Sequence, residues 1–263
     1  YDTYQAAFGV VGVMPFYAMA VQRYMHIYGV EAEDIARVVV RLREHAGRNP
    51  LAAYREPTTV EEVLASRMVS PPIHQLESSV IMDGAAALVL LAGDRMSDPA
   101  RAVRLAEMAE ANDPTSFLPY QGELERFPNA ERAAKLAFSR SGYRVEDVDV
   151  AEVYGAFAGL EVMLYEELGF FPRGEAPAAL AEGRTTHGGE VLINPSGGRL
   201  CLGHPTYATP LLETVEVVRQ LRGEAGERQR PGAQVGLVHS EHGMINGSMV
   251  MLLDRRVEGA DHR

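Results

Sequence analysis

Residues 194–209 read Asn194-Pro195-Ser196-Gly197-Gly198-Arg199-Leu200-Cys201-Leu202-Gly203-His204-Pro205-Thr206-Tyr207-Ala208-Thr209. Glycines at Gly197, Gly198 and Gly203 let backbone approach a neighbour closely and let amide N–H groups face it. His204 stands between Gly203 and Pro205, on a sharp turn ahead of a helix. A histidine held there can donate a hydrogen bond to a carbonyl oxygen as that oxygen gains negative charge.

Working outward, Thr209 to Arg222 reads as a helix built on Leu211, Leu212, Val215, Val218 and Leu221. Beyond it, Gln234–His239 and Ser248–Leu253 are apolar runs around the turn Gly243–Gly247, and they read as antiparallel strands. Upstream, residues 183–200 are glycine-rich, Gly159–Leu168 reads as a helix, and Val148–Tyr154 reads as a strand. Pro128-Asn129 opens a helix through Ser139. In the first part, Met14 to Tyr28 and Glu31 to His45 carry apolar side chains at helical spacing. A short helix follows Thr58-Thr59, broken by Pro71-Pro72. Asp83-Gly84 marks a turn, and Ala85–Leu91 reads as a buried strand. Arg101–Ala111 fits strand or helix equally. Alternating helices and buried strands define a layered α/β fold. The polar stretch at 112–128 supplies the internal boundary, dividing the chain into 1–127 and 128–263.

A chain of 263 residues is long enough for a sizeable core. Net charge is −11, and no basic cluster suits a phosphodiester backbone, which argues against nucleic acid. Cys201 is the one cysteine, so no disulfide forms within the chain, as expected of a reducing cytoplasm. No apolar run has the length of a membrane span, and no secretory signal opens the sequence. The first residue is Tyr1 rather than Met, so the chain reads as part of a longer polypeptide.

The stretch 194–209 resembles the thiolase signature, an Asn-Pro-x-Gly-Gly loop leading into Gly-His-Pro-x-Gly-Ala-Thr-Gly. Other segments agree in order and spacing: Asp83-Gly84-Ala85-Ala86-Ala87, Asp147-Val148-Asp149 with Glu152-Val153-Tyr154-Gly155-Ala156-Phe157, and Tyr165-Glu166-Glu167-Leu168-Gly169. The last is similar to thiolases of the sterol-carrier-protein type. The resemblance implies a thiolase-like layered α/β fold (αβαβα) lacking the N-terminal part of its first half. A thiolase of this kind uses one cysteine as nucleophile, in the N-terminal part absent here, and a second near the C-terminus. The segment resembling the second is Val238–Gly247, and it holds no cysteine. The sterol-carrier-protein segment His-Asp-Cys-Phe reads Tyr154-Gly155-Ala156-Phe157, and Tyr207 and Pro210 replace two signature glycines. Cys201, between two leucines in the glycine loop, reads as a buried structural thiol.

This pattern looks like the thiolase-like, lipid-transfer-protein-like aldolases of steroid side-chain degradation. The resemblance implies retro-aldol cleavage of a β-hydroxyacyl-CoA to a ketone and a shorter acyl-CoA such as propionyl-CoA. Tyr154 and Tyr207 would carry protons, with the division into acid and base left open. His204 would hold the enolate oxygen, and His242 beside Gly243 would replace the lost acid/base cysteine. Asn194, Gly197, Gly198 and Gly243 would line the CoA ester. No permanently bound cofactor is implied, because CoA is part of the substrate. His239, Glu241 and His242 do not match a common zinc spacing, so no metal is expected. His239 reads as a satisfied turn histidine, and the role of His187 stays open. The implied partners are a second copy, through the N-terminal half, and a small protein with an OB-fold and zinc ribbon. Two rival readings remain. One is a thiolase (acetyl-CoA C-acyltransferase) with its cysteine upstream, the other a non-catalytic subunit that binds CoA esters.

Overall fold

The computed structural model describes residues 6–10, 12–92, 95, 98, 101–113, 123–242 and 246–255. In chain order its elements are α1 (Met14–Tyr28), α2 (Ala32–Ala46), α3 (Val60–Ala65), β1 (Met68–Ser70), β2 (Ile73–His74), β3 (Arg104–Asn112), α4 (Pro128–Ser141), β4 (Val150–Val153), α5 (Ala158–Glu167), α6 (Ala176–Ala181), β5 (Leu192–Ile193), α7 (Gly198–Leu202), α8 (Thr209–Arg222), β6 (Val235–His242) and β7 (Gly247–Asp254). Local chemistry explains most boundaries. Helix α1 has Pro15 in its first turn, where a missing N–H costs nothing. Helix α2 starts where Asp34 accepts from the Glu31 N–H at 3.0 Å. Helix α3 has a reciprocal cap, with the Glu62 N–H 3.2 Å from Thr59 Oγ and the Thr59 N–H 3.0 Å from Glu62. It ends at Ala65, so Pro71-Pro72 does not break it but turns the β1–β2 ribbon.

The main sheet has the order β3-β7-β6-β4-β5. Strands β4, β5 and β6 run parallel, and β7 and β3 are added antiparallel. The expected β6–β7 hairpin is present, in register from Val235↔Asp254 to His242↔Gly247. Alternate side chains leave opposite faces. Ala151, Val153, Leu237, Val250 and Leu252 point into the core made with α1, α2, α4 and α5. Val150, Leu192, Val238 and Leu253 pack instead on Val217 and Leu221 of α8. Burial of each such valine or leucine is worth roughly 1.5–3 kcal/mol, which fixes α8, and the loop leading into it, to one face of the sheet.

One ambiguity is resolved and one expectation is corrected. Arg104–Asn112 resolves as strand, because it pairs along its length with β7. Its pairing also carries the sheet's edge strand across the division expected at 127/128. Ala85–Leu91 is not a buried strand: Val89 is 85% exposed and Leu90 82%, and the run has no ladder. Buried strand backbone needs pairing partners for its N–H and C=O groups, and no strand among the described residues lies beside it. Within the glycine-rich residues 183–200, Gly198 begins α7. No helix among the described residues is long and apolar enough to cross a membrane.

Candidate active site

Strand β4 ends at Val153, and the chain turns through Tyr154–Phe157 into α5. The loop at 194–209 comes alongside because Asn194 is stitched to that strand end. Its Oδ1 accepts from the Val153 N–H at 2.7 Å, and its Nδ2 donates to the Val153 carbonyl at 3.2 Å and to Glu161 at 2.7 Å. From behind, His45 Nδ1 lies 3.1 Å from the Asn194 carbonyl, and Asn49 donates to the Ser196 carbonyl at 2.8 Å. The segment 78–82 straps both parts together: Ser79 N–H donates to the Ala156 carbonyl at 2.9 Å, and His204 N–H to the Val80 carbonyl at 2.8 Å. Gly203 is required here, with φ +108° and a Cβ position only 1.7 Å from Met82 Sδ.

Arg199 organises the centre. Its Nε donates to Glu213 Oε1 at 2.9 Å and a terminal nitrogen reaches Oε2 at 3.4 Å, with both side chains buried. The Arg199 guanidinium carbon lies 3.5 Å from the centre of the Tyr154 ring. The Tyr154 ring meets the His204 ring edge-on, with centres 6.3 Å apart. Tyr17, from α1, brings its phenol close enough to that of Tyr154 for the two to influence each other's titration and packs 5.1 Å from Phe157, ring centre to ring centre. Glu241, near the end of β6, faces Arg199, Tyr17 and Tyr154. Its Oε2 is sealed from solvent without a hydrogen-bond partner.

These surroundings set the protonation states. Burial and the Glu241 carboxyl push the Tyr154 phenol up to about 12, against the pull of Arg199 and Tyr17. Tyr154 therefore keeps its proton at neutral pH and is an acid. Burial, and then the Arg199 charge, bring His204 down to about 4, so its ring is neutral. His204 Nδ1 lies 2.8 Å from Thr209 Oγ. With Thr209 donating to Nδ1, Nε2 carries the proton and is the donor an oxyanion needs. Burial raises the Glu241 carboxyl to about 8, with Arg199 opposing. Cys201 is fully buried, its thiol pushed up to about 12 by desolvation, so it is a poor nucleophile.

Of the residues expected from sequence, the structure brings Tyr154 and His204 together. Tyr207 is 97% exposed and stands apart from that cluster. A phenol in open water gains nothing from the site, so the sharing of proton work between Tyr154 and Tyr207 does not follow from this geometry. His242 is half-exposed and turned to Glu110, with 3.1 Å between Nε2 and Oε1, while Gly243 lies outside the described residues. Asn194 is fully buried with its amide committed to the framework, and a Cβ on Gly197 would fall 2.7 Å from that of Ala46. Gly198 is buried against Asn194 and Glu161. These three are built into the framework of the loop. His239 is buried, with Nε2 3.2 Å from Ser248 Oγ, and His187 Nε2 lies 2.9 Å from the Arg228 carbonyl. Sequence reasoning missed Tyr17, Arg199, Glu213 and Glu241. Arg199 left a signal, a cation amid glycines and leucines in the most specific stretch of the chain.

Comparison with known proteins gives the family. Residues 116–255 match the family model described as thiolase C-terminal domain-like, and the chain belongs to the thiolase superfamily. Acetyl-CoA acetyltransferase of Methanothermobacter thermautotrophicus is 36% identical over 91% of the chain and 62% of its own length. Sterol carrier protein 2 of Oryctolagus cuniculus is 34% identical over 85% of the chain and 42% of its own length. The Ltp2-ChsH2(DUF35) aldolase superposes with a TM-score of 0.84 over 97% of this chain and 67% of that one, at 28% identity. Within the superfamily the chain is a sterol-carrier-protein-2-like member with the thiolase-like layered fold. It spans less than two thirds of the length of the two curated relatives.

Proposed function

We propose that this chain supplies the reaction centre of an aldolase that splits a β-hydroxyacyl-CoA into a ketone and a shorter acyl-CoA. The observation that carries the reading is the cluster of protonated Tyr154, neutral His204 and buried Arg199–Glu213, with the thiol of Cys201 sealed away. Breaking a bond between Cα and Cβ of a thioester leaves an enolate. Its oxygen needs a donor, which His204 Nε2 supplies. Its carbon needs a proton, which Tyr154 supplies. Neither step requires an acyl group held on cysteine. The likeness to the Ltp2-ChsH2(DUF35) aldolase supports the same reading.

The substrate class is a bulky, steroid-type acyl-CoA with a tertiary β-hydroxyl, and propionyl-CoA is the fitting short product. CoA enters and leaves as part of substrate and product. The relative named Ltp2-ChsH2(DUF35) aldolase supports a partner protein for this chain, which we propose is a small OB-fold protein, and pairing with a second copy belongs to the same proposal.

The test is Tyr154→Phe in the natural polypeptide with its co-purifying partner. General acid catalysis is typically worth about 10²–10⁴-fold, so kcat falls by at least that lower bound while the melting temperature holds. Tyr207→Phe, which removes a hydroxyl already in water, costs far less. A Tyr154→Phe enzyme with wild-type kcat overturns the assignment.

A further inference from the structure

The retro-aldol reading leaves one group unassigned, the base that takes the proton from the β-hydroxyl. We infer that Glu241 is that base, and that Tyr17 returns the proton to Tyr154. The inference rests on the retro-aldol reading and adds a residue to the same site.

The argument begins with an orphan. Buried carboxylate oxygens are almost always hydrogen-bonded, and one that is not asks for an explanation. Glu241 Oε2 is enclosed and has no partner. The groups that face this carboxyl come from three other elements: Tyr17 from α1, Tyr154 after β4, and Arg199 from α7. On its own strand, His239 Nε2 lies 3.2 Å from Ser248 Oγ while its Nδ1 is buried without a partner, and His242 is turned to Glu110. Val153 of β4 pairs with His239 of β6, so Tyr154 and Glu241 both lie just beyond the same end of two neighbouring parallel strands. A substrate hydroxyl would give it the partner it lacks.

The step balances without a co-reactant. Glu241, as carboxylate, takes the hydroxyl proton. The O–H pair becomes the second bond of the new ketone, and the Cα–Cβ pair moves into the thioester as an enolate held by His204. Tyr154 then donates its proton to Cα, completing the shorter acyl-CoA. The resulting phenolate is stabilised by the guanidinium 3.5 Å from its ring centre. The proton on Glu241 returns to it through Tyr17, whose phenol interacts with both Tyr154 and the same carboxyl. Nothing is consumed, since the proton lost by the hydroxyl replaces the one given to Cα.

The experiment compares wild type, Glu241→Gln and Glu241→Asp, each as the natural polypeptide with its partner, on a β-hydroxyacyl-CoA with a tertiary hydroxyl. The carboxyl must be ionised to act, and burial holds it at about 8. Wild-type kcat/KM therefore rises with pH until that value and then levels. Glu241→Gln loses that limb and about 10²–10⁴-fold in kcat. Glu241→Asp keeps a measurable rate with its limb displaced. If Glu241→Gln folds and keeps kcat within about threefold, with the limb intact, the base is another group and the inference fails while the aldolase reading stands. If Glu241→Gln does not fold, the Glu241→Asp profile decides, and a wild-type rate and limb overturn the inference. If wild type itself releases no ketone, the aldolase reading fails and the inference falls with it.

Discussion

Replacing Arg199 with methionine removes the cation packed between the Tyr154 ring and Glu213. Both partners of the ion pair are almost wholly buried, with side chains 3% and 2% exposed. Methionine keeps much of the volume, so the main cost is Glu213 left without its donor. Breaking a buried pair from one side typically costs about 3–5 kcal/mol. At about 2–4 °C per kcal/mol for a domain of this size, the melting temperature drops by roughly 6–20 °C. The sign of the pH dependence follows from Glu213. Burial raises its carboxyl above the ordinary value even with Arg199 opposing, and losing Arg199 raises it further. A carboxyl with a folded-state pKa above its unfolded value costs nothing below the unfolded pKa, about 4.3 for glutamate. The cost grows as pH climbs towards the folded value. The gap between Arg199→Met and wild type is therefore widest at pH 8 and narrows towards pH 5. Pairing the change with Glu213→Gln removes the orphaned charge, so the double variant recovers most of the loss. Thermal unfolding by circular dichroism at both pH values is the assay. A single variant that melts with wild type at pH 8, or a double variant less stable than the single, would refute the reasoning.

Further outcomes are expected. Gly155→Ala places a Cβ 2.0 Å from Glu161 Oε1, an overpacked contact that costs about 1–3 kcal/mol and is read as a lower urea midpoint. Glu161 accepts from Tyr165 at 2.8 Å and Asn194 at 2.7 Å, and its burial lifts the carboxyl to about 8. Its folded pKa is thus raised, and the stability it confers is lost as pH rises from the ordinary range through that value. Glu161→Gln, which has no proton to lose, therefore melts at or above wild type at pH 9, and a lower melting point there contradicts the burial argument. Cys201→Ala leaves kcat near wild type, because the thiol is buried and packs between the signature loop and α2; a large loss in kcat with an intact fold gives that sulfur a chemical role.

Much of the fold was legible because it follows from local pattern. The stripes of α1 and α2, the cap at Thr59, and the β6–β7 hairpin each rest on neighbours in sequence. Ala85–Leu91 was misread because an apolar run announces burial but not the strand it must pair with. Arg104–Asn112 stayed ambiguous for the converse reason: its identity as a strand comes from β7, about 140 residues later in the chain. The site divides the same way. Tyr154 and His204 lie in the recognisable segments. Tyr17 and Glu241 lie 224 residues apart by their numbering, and only the packing of α1 against α5 and of Tyr17 on Phe157 brings them near each other. Tyr207 misled because a tyrosine in a glycine's place says nothing about which side of the turn its ring takes.

Dependence on free CoA tests the aldolase assignment most directly. The natural polypeptide, alone and with any protein that co-purifies, is incubated with a tertiary β-hydroxyacyl-CoA across a series of CoA concentrations that includes none, and products are counted by mass spectrometry. Retro-aldol chemistry releases one ketone and one shortened acyl-CoA per substrate, at a rate indifferent to added CoA. Absence of ketone from this substrate, together with CoA-dependent cleavage of a β-ketoacyl-CoA into two acyl-CoA products, means thiolysis by a nucleophile outside these residues and contradicts the assignment.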